Sequence, residues 1–406
     1  AELAPDESPF FVYLSKVAKV PTDDPQFRFL EDRTKVSMTD RSFLLNGSHS
    51  IPAAGSSLSY TVDSSSASVD WLIKGMVFAV DYKENNSPES IIVRIESGVT
   101  DNGSTSSFVG KTISSVDGAE TGADNAKCTV IGTSYAEGSG SPDVWSEELD
   151  NGYGYTQIFK TACEMSNTAR ATRYRGYADE WQRIWNLKLR EHKIDIERAM
   201  LFGQKASQSG IQYSEGICGH VIKNGTSVVD DSALSYSSGA PYFRSASTSE
   251  LTYDRLLSDF EVIYDPARGG SQQKLALASL PVITFFNKLG ADFFVNRSYM
   301  SGTSDTVNDV TALRYNMSEK EGSFGHKIMM VDTIHGSMAL VKEPLFRGFA
   351  SGFLQLVDLD HVSYRPLVGN GVNRDTHIIS NVQSSDEDLR KDMILTEAGL
   401  EVSLPE

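Results

Sequence analysis

The chain is short of cysteine and of positive charge. Cys128, Cys163 and Cys218 are its three cysteines, an odd number without a CxxC pair, which argues against both a disulfide framework and a zinc site. Lysine and arginine total 37 against 54 aspartates and glutamates, a formal charge of −17. Such a surface does not neutralise phosphates, so nucleic acid is not expected as a gripped ligand. Long apolar runs are also missing. The opening AELAPDESPFFVYLSK has no basic region, and its run Phe10–Leu14 is too short for a signal peptide or a membrane span. A soluble, intracellular protein without a membrane partner is expected.

Catalytic and cofactor signatures are equally scarce. The histidines His49, His192, His220, His326, His335, His361 and His377 form no HExxH, and Cys218-Gly219-His220 lacks further ligands, so no metal is expected. There is no GxSxG elbow, and no carboxylate pair stands out. Gly110-Lys111-Thr112 resembles the end of a phosphate loop, but Gly103 lies two residues too far back for GxxxxGK[ST] and no helix pattern follows. A surface turn is the better reading. Neither a cofactor nor an enzymatic activity is expected.

What the chain does have is 406 residues, enough for roughly two or three domains. Residues 1–55 carry Pro5, Pro9, Pro21, Pro25 and Pro52 among scattered apolar positions, which predicts an extended arm. Residues 56–145 turn Ser/Gly/Thr/Asp-rich around the strand-like bursts MVFAV, IIVRI and AKCTVIGT, a β-rich insertion with little expected core of its own. Later, LTYDRLLSDFEVIYDPARGG predicts a helix closed by Pro266. QKLALAS predicts a buried strand followed by a helix capped by Ser279, with Pro281 in its first turn. Helix and strand mix without a βαβ period, so the fold class is α+β.

The segment YRGYADEWQRIWNLKLREHKIDIERAMLFGQ is the anomaly. Asp179 with Gln182 starts a capping box and Gly203 is a stop, predicting a helix over about 179–203, roughly 36 Å long. At 100° per residue, Trp181, Trp185, Leu189, Ile196 and Ala199 share one face, and Ile184, Leu187, Ile194 and Leu201 share another. Asn186, Arg190, Lys193 and Glu197 form a charged strip between them, with Lys193 and Glu197 four residues apart. A helix clamped on two sides is expected.

Here the residues suggest a family. TARATRYRGYADEWQRIWNLKLREHKIDIERAMLFG resembles the approach to, and body of, the spine helix of tailed-bacteriophage major capsid proteins with the Hong Kong 97 fold. Ser166-Asn167-Thr168-Ala169-Arg170 stands where a SGTAR approach is usual, with Asn167 in place of the glycine, and Asp195-Ile196-Glu197 matches the helix exit. LALASLPVITFFNKLG, VDTIHGSMALVKEPLFRG and HIISNVQSSDEDLRKDMILTEAGLEV extend the resemblance more loosely. It implies an N-terminal arm over 1–55 and an E-loop over 56–145. A peripheral domain with the spine helix would occupy 146–268, an axial domain 269–345, and a return to the peripheral domain 346–406.

The implied function is an icosahedral head shell enclosing double-stranded DNA, built from hexamers and pentamers of this chain. Portal, scaffold and decoration proteins are implied as further partners. Residues expected to serve assembly are Arg170, Arg173 and Arg175 in the approach, and Trp181, Arg183, Trp185, Arg190, Lys193 and Glu197 on the helix. Some members of the fold cross-link Lys to Asn, but no motif gives Lys74, Lys83 or Lys111 a partner. The insertion stretch from Gly98 to Asn125, poor in apolar residues, is expected to open easily in a free subunit and to gain order from neighbours. A β-rich adhesin or carbohydrate-binding protein is the alternative; it explains the Ser/Gly/Thr content but not the long helix. If Gly110-Lys111-Thr112 is only a turn in the insertion, Lys111→Ala changes stability by less than about 0.5 kcal/mol. Denaturant melts and nucleotide titration check this, and specific ATP or GTP binding lost in the variant contradicts it.

Overall fold

The computed structural model describes residues 8–17, 19–31, 41–63, 71–84, 87–97, 99–101, 105–114, 120–122, 124–144, 149–173, 179–224, 226–227, 242–245, 251, 253–265, 270–288, 316–321 and 327–403. Two compact units divide the chain, one built from Asp32–Asp150 and the other from the segments before and after it.

The inserted unit is an antiparallel sheet. Its strands run in the order Ser42–Leu44, Lys127–Thr133, Met76–Glu84, Ser87–Ile95, Thr105–Ser114, Ser57–Asp63. The alternation in MVFAV and IIVRI sends Phe78, Val80, Ile91, Val93 and Ile95 inward, as a period of two requires. A bridge from Leu45 to Val62 joins the first strand's end to the last strand, so the sheet curls until its edges meet. Closure creates an interior that a flat hairpin lacks. Tyr60, Phe78 and Phe108 fill it, with ring centroids 5.6 to 6.0 Å apart, alongside Phe43, Trp71 and Leu72.

The expectation of little core is therefore corrected. The sparse apolar residues of this segment converge because curvature brings them to one side. Gly110-Lys111-Thr112 lies inside the strand Thr105–Ser114, between two partner strands, and a strand interior cannot wrap a phosphate.

The other unit holds two larger sheets beside several two-stranded ones. In the first, Gln157–Ser166 pairs antiparallel with Leu389–Val402 over ten consecutive residue pairs, and Val362–Pro366 and His377–Ile379 also pair with Leu389–Val402. The second is five-stranded, in the order Asn316–Glu321, Lys327–Asp332, Ser337–Lys342, Gln273–Ala278, Leu354–Val357. Gln273–Ala278 and Ser337–Lys342 are parallel there. The unbroken LALA run is explained by burial on both faces. Leu275 and Leu277 enter one core with Met200, Leu201 and Val341, while Ala276 and Ala278 enter another with Leu256, Phe260 and Phe286. Residues 280–288 are helical, but the Ser279 hydroxyl is buried without a partner and does not make the expected cap. Gly290, which the sequence offers as the stop of that helix, lies outside the described residues.

The N-terminal segment also differs from an extended arm over its first part. Pro9–Val17 is a helix, with Phe10, Phe11, Val12, Tyr13 and Leu14 all buried. Five consecutive apolar residues show no helical period, but a helix sunk on every side needs none.

Because Phe108 anchors the inserted unit's core, Phe108→Ala is expected to destabilise that unit by about 3–5 kcal/mol. In the unassembled wild-type subunit, trypsin is expected to spare Lys111 and, in the variant, to cut there; equal cutting of both would contradict a self-supporting core.

Candidate functional site

The long helix runs Glu180–Phe202. Asp179 accepts from the Gln182 N–H at 3.3 Å, and the Gly203 N–H donates to the Ala199 carbonyl at 2.9 Å. A Cβ on Gly203 would lie 2.4 Å from the Ala199 oxygen and 2.5 Å from the Ser214 oxygen, so a side chain there would displace backbone. Three ion pairs at i,i+3 spacing line the solvated side: Glu180–Arg183 at 2.5 Å, Lys188–Glu191 at 2.7 Å and Asp195–Arg198 at 3.2 Å. Each contributes about 0.2–0.5 kcal/mol to a helix.

Only the C-terminal half is sunk in the chain's own core. His192, Ile196, Glu197, Met200 and Leu201 are buried, whereas Leu187 is 55% exposed. The two-sided clamp is thus corrected to a clamp on one half. In the other half Trp181 and Trp185 are partly buried and stack at 6.4 Å. Arg390 sits 4.8 Å over the Trp181 ring while bonding Asp392 at 2.9 Å. Such a cation held against an indole contributes about 0.5–1 kcal/mol at a partly exposed site.

His192 fastens the helix to the sheet below. Its ring nitrogens meet the Thr161 hydroxyl at 2.9 Å and the Thr396 hydroxyl at 2.8 Å. Thr396 also meets Thr376 at 2.9 Å. Burial, aided by the neighbouring Lys193 charge, pushes the imidazole down to about 4, so the ring is neutral at pH 7, with one nitrogen donating and the other accepting. Lys193 is likewise pushed down by burial.

The approach to the long helix starts with a helical turn of its own. Asn167–Ala171 is a short helix whose Ser166 hydroxyl accepts from the Ala169 N–H at 3.3 Å. Asn167 donates to Asp388 at 2.6 Å and accepts from Arg170 at 3.1 Å. The asparagine that replaces the usual glycine therefore ties the approach to the C-terminal segment. Arg173 is exposed, and Arg175 lies outside the described residues. Arg183 is held by Glu180, and Arg190 is exposed.

Glu197 departs most from expectation. Instead of sharing a charged strip with Lys193, it is fully buried and accepts from the Phe10 N–H at 2.9 Å, which removes it from the assembly surface. Sequence reasoning also missed Thr161, Thr396 and Glu343. No local motif marks them, because their partners lie far along the chain. Among the described residues no group of three or more His, Cys, Asp or Glu is placed to hold a metal, and no helix is long and apolar enough to cross a membrane. All three cysteines are buried free thiols.

A mixed α+β chain with a long half-buried helix, matched along its whole length by a capsid family, defines the class: a major capsid protein, a structural protein rather than an enzyme. The chain belongs to the SU10 major capsid protein family, which matches residues 1–406. No curated protein was found to match it in sequence. Among solved structures it is similar to the cyanophage A-1(L) capsid asymmetric unit, with 10% identity over 68% of this chain and 82% of that one and a TM-score of 0.42. It is also similar to a structure from Mycobacterium phage Bobi, with 8% identity over 99% and 86% and a TM-score of 0.40. These likenesses are distant, and the assignment rests on the family match.

His192 gives a pH dependence with a definite sign. Its folded value lies below the unfolded value of 6.5, so the unfolded chain binds the extra proton and stability falls as pH drops from about 6.5 towards about 4. A loss of about 3 kcal/mol across that window is expected, because a tenfold change in proton affinity is worth about 1.4 kcal/mol. Urea melts at stepped pH measure it, and His192→Gln should remove its share of the slope.

Proposed function

We propose that this capsid protein builds an icosahedral head shell around the double-stranded DNA genome of a tailed phage, through hexamers and pentamers of itself assembled in the host cytoplasm. The full-length family match carries the reading. The net charge of −17 supports it, because an acidic wall does not adhere to densely packed DNA. Portal, scaffold and decoration proteins are further partners in this reading.

Within the shell, residues 56–145, with the strand Ser42–Leu44 on the edge of their sheet, act as the E-loop that reaches over neighbours, and the segment 1–55 that supplies this strand and the buried helix Pro9–Val17 takes the place of the arm. The E-loop brings a preformed core to that contact. The exposed half of the long helix receives neighbouring copies, with Trp181, Arg183, Trp185 and Arg190 on it, half-buried Lys193 just beyond it, and Arg170, Arg173 and Arg175 leading into it. Leu187 supports this placement, since a leucine 55% exposed in the single chain gains about 25 cal/mol for each Å² a neighbour covers. Each contact need be only of ordinary size, about 1,600 Å² or less, because a shell repeats it many times.

Electron microscopy of the expressed protein tests the reading. Rings or closed shells are expected, and a chain that stays monomeric at every concentration and ionic strength would contradict it. Leu187→Glu is expected to leave the subunit's stability within about 0.5 kcal/mol while sharply lowering shell yield; normal shells from this variant would take the long helix out of the contact.

A further inference from the structure

The helix Pro9–Val17 is moored from a distance. Its Phe10 N–H donates to Glu197 Oε1 at 2.9 Å across 187 positions, and the Phe11 N–H donates to the same carboxyl. Glu343, which follows the strand Ser337–Lys342, is 2% exposed and accepts from the Leu345 N–H at 3.0 Å. Oε2 of Glu197 and Oε2 of Glu343 are both buried without a donor, and the two carboxyls lie close enough to act on each other. Two carboxylates cannot bond each other, because an ionised carboxyl only accepts. A single proton between them satisfies both orphaned oxygens.

We propose that Glu197 and Glu343 share one proton, and that this protonated pair is the latch holding the N-terminal helix on the long helix, so that losing the proton as pH rises releases Pro9–Val17. The surroundings offer no substitute for it. From the N-terminal helix come backbone amides at the positive end of its dipole, which favour one negative charge but not two; its Tyr13 phenol is raised by burial, and Lys16 is exposed. The helix Ile217–Asn224 offers the Cys218 thiol, which burial and the Glu343 charge push up to about 12. On the long helix Lys193 does not act on Glu197, and among the described residues no cation pairs with either carboxyl.

Burial and then mutual repulsion raise Glu197 well above the ordinary carboxyl range, and burial raises Glu343 to about 7. Folded values above the unfolded 4.5 mean that the latch is whole below that pH and weakens as pH rises. Opening grows about tenfold per pH unit for each proton the closed pair keeps and the open pair sheds.

Hydrogen–deuterium exchange on the unassembled full chain tests this, independently of shell building. After correction for intrinsic rates, protection of amides 10–17 is expected to fall about tenfold per pH unit from about pH 5 to about pH 7, the window between the ordinary carboxyl value and that of Glu343. Glu343→Gln, which keeps a donor without titrating, should hold protection and flatten the slope. Infrared spectra of the wild type at neutral pH should show a protonated-carboxyl stretch that the variant lacks; if the variant misfolds, the wild-type slope and band decide alone. Protection independent of pH, or no such band, overturns the proposal. So does a helix freed by EDTA and restored by calcium or magnesium, which would put a divalent cation where the proton is placed.

Discussion

The antiparallel register between Gln157–Ser166 and Leu389–Val402 is the constraint on which the larger unit depends. It closes a loop of more than two hundred residues, so its entropic cost falls on the whole intervening chain. Other contacts then become local to the pair. Thr161 and Thr396 come from these neighbouring strands and bracket His192. On the far edge of Leu389–Val402, Arg365 pairs with Glu401, and Arg374 pairs with Glu397. Inner positions Ile394, Leu395, Ala398 and Leu400 are buried, and the helix lies against this floor.

The two units solve the problem of a sparse apolar composition differently. The inserted unit curls its sheet, so a few large aromatics suffice to fill a closed interior. The larger unit spreads its apolar residues through two cores and runs out of them along the first half of the long helix. That half is held by its cap, its ion pairs and the Trp181–Arg390 contact rather than by burial in a core. A subunit built this way leaves a partly apolar face on that half of the helix, and the contacts proposed above with other copies fall there.

The buried polar groups set the chemical conditions under which this unit holds together. His192 must stay neutral, whereas the Glu197–Glu343 pair must keep a proton. One group loses its contribution in acid and the other in base. Both join elements that the sequence separates widely, so each acts as a check on assembly of the tertiary structure: an incomplete core leaves a polar group stranded.

Several features were legible from local physics alone. Asp179, Gln182 and Gly203 determine the long helix through its end groups, and the LALA run determines a strand buried on two faces. The spacing of Gly103 to Gly110 rules out a phosphate loop without any coordinates. The class of protein came instead from the resemblance of the long helix, with its approach and exit, to a capsid family. Tertiary structure decided everything that rests on distant partners. Glu197 looks like a surface charge by its period, and only the arrival of Phe10 and Glu343 makes it a buried acid. The inserted segment looks coreless because apolar residues spaced along it cannot be seen to converge until Leu45 meets Val62. Periodicity reports which side of an element a residue is on; it carries no information about what covers that side, and burial and protonation follow from the cover.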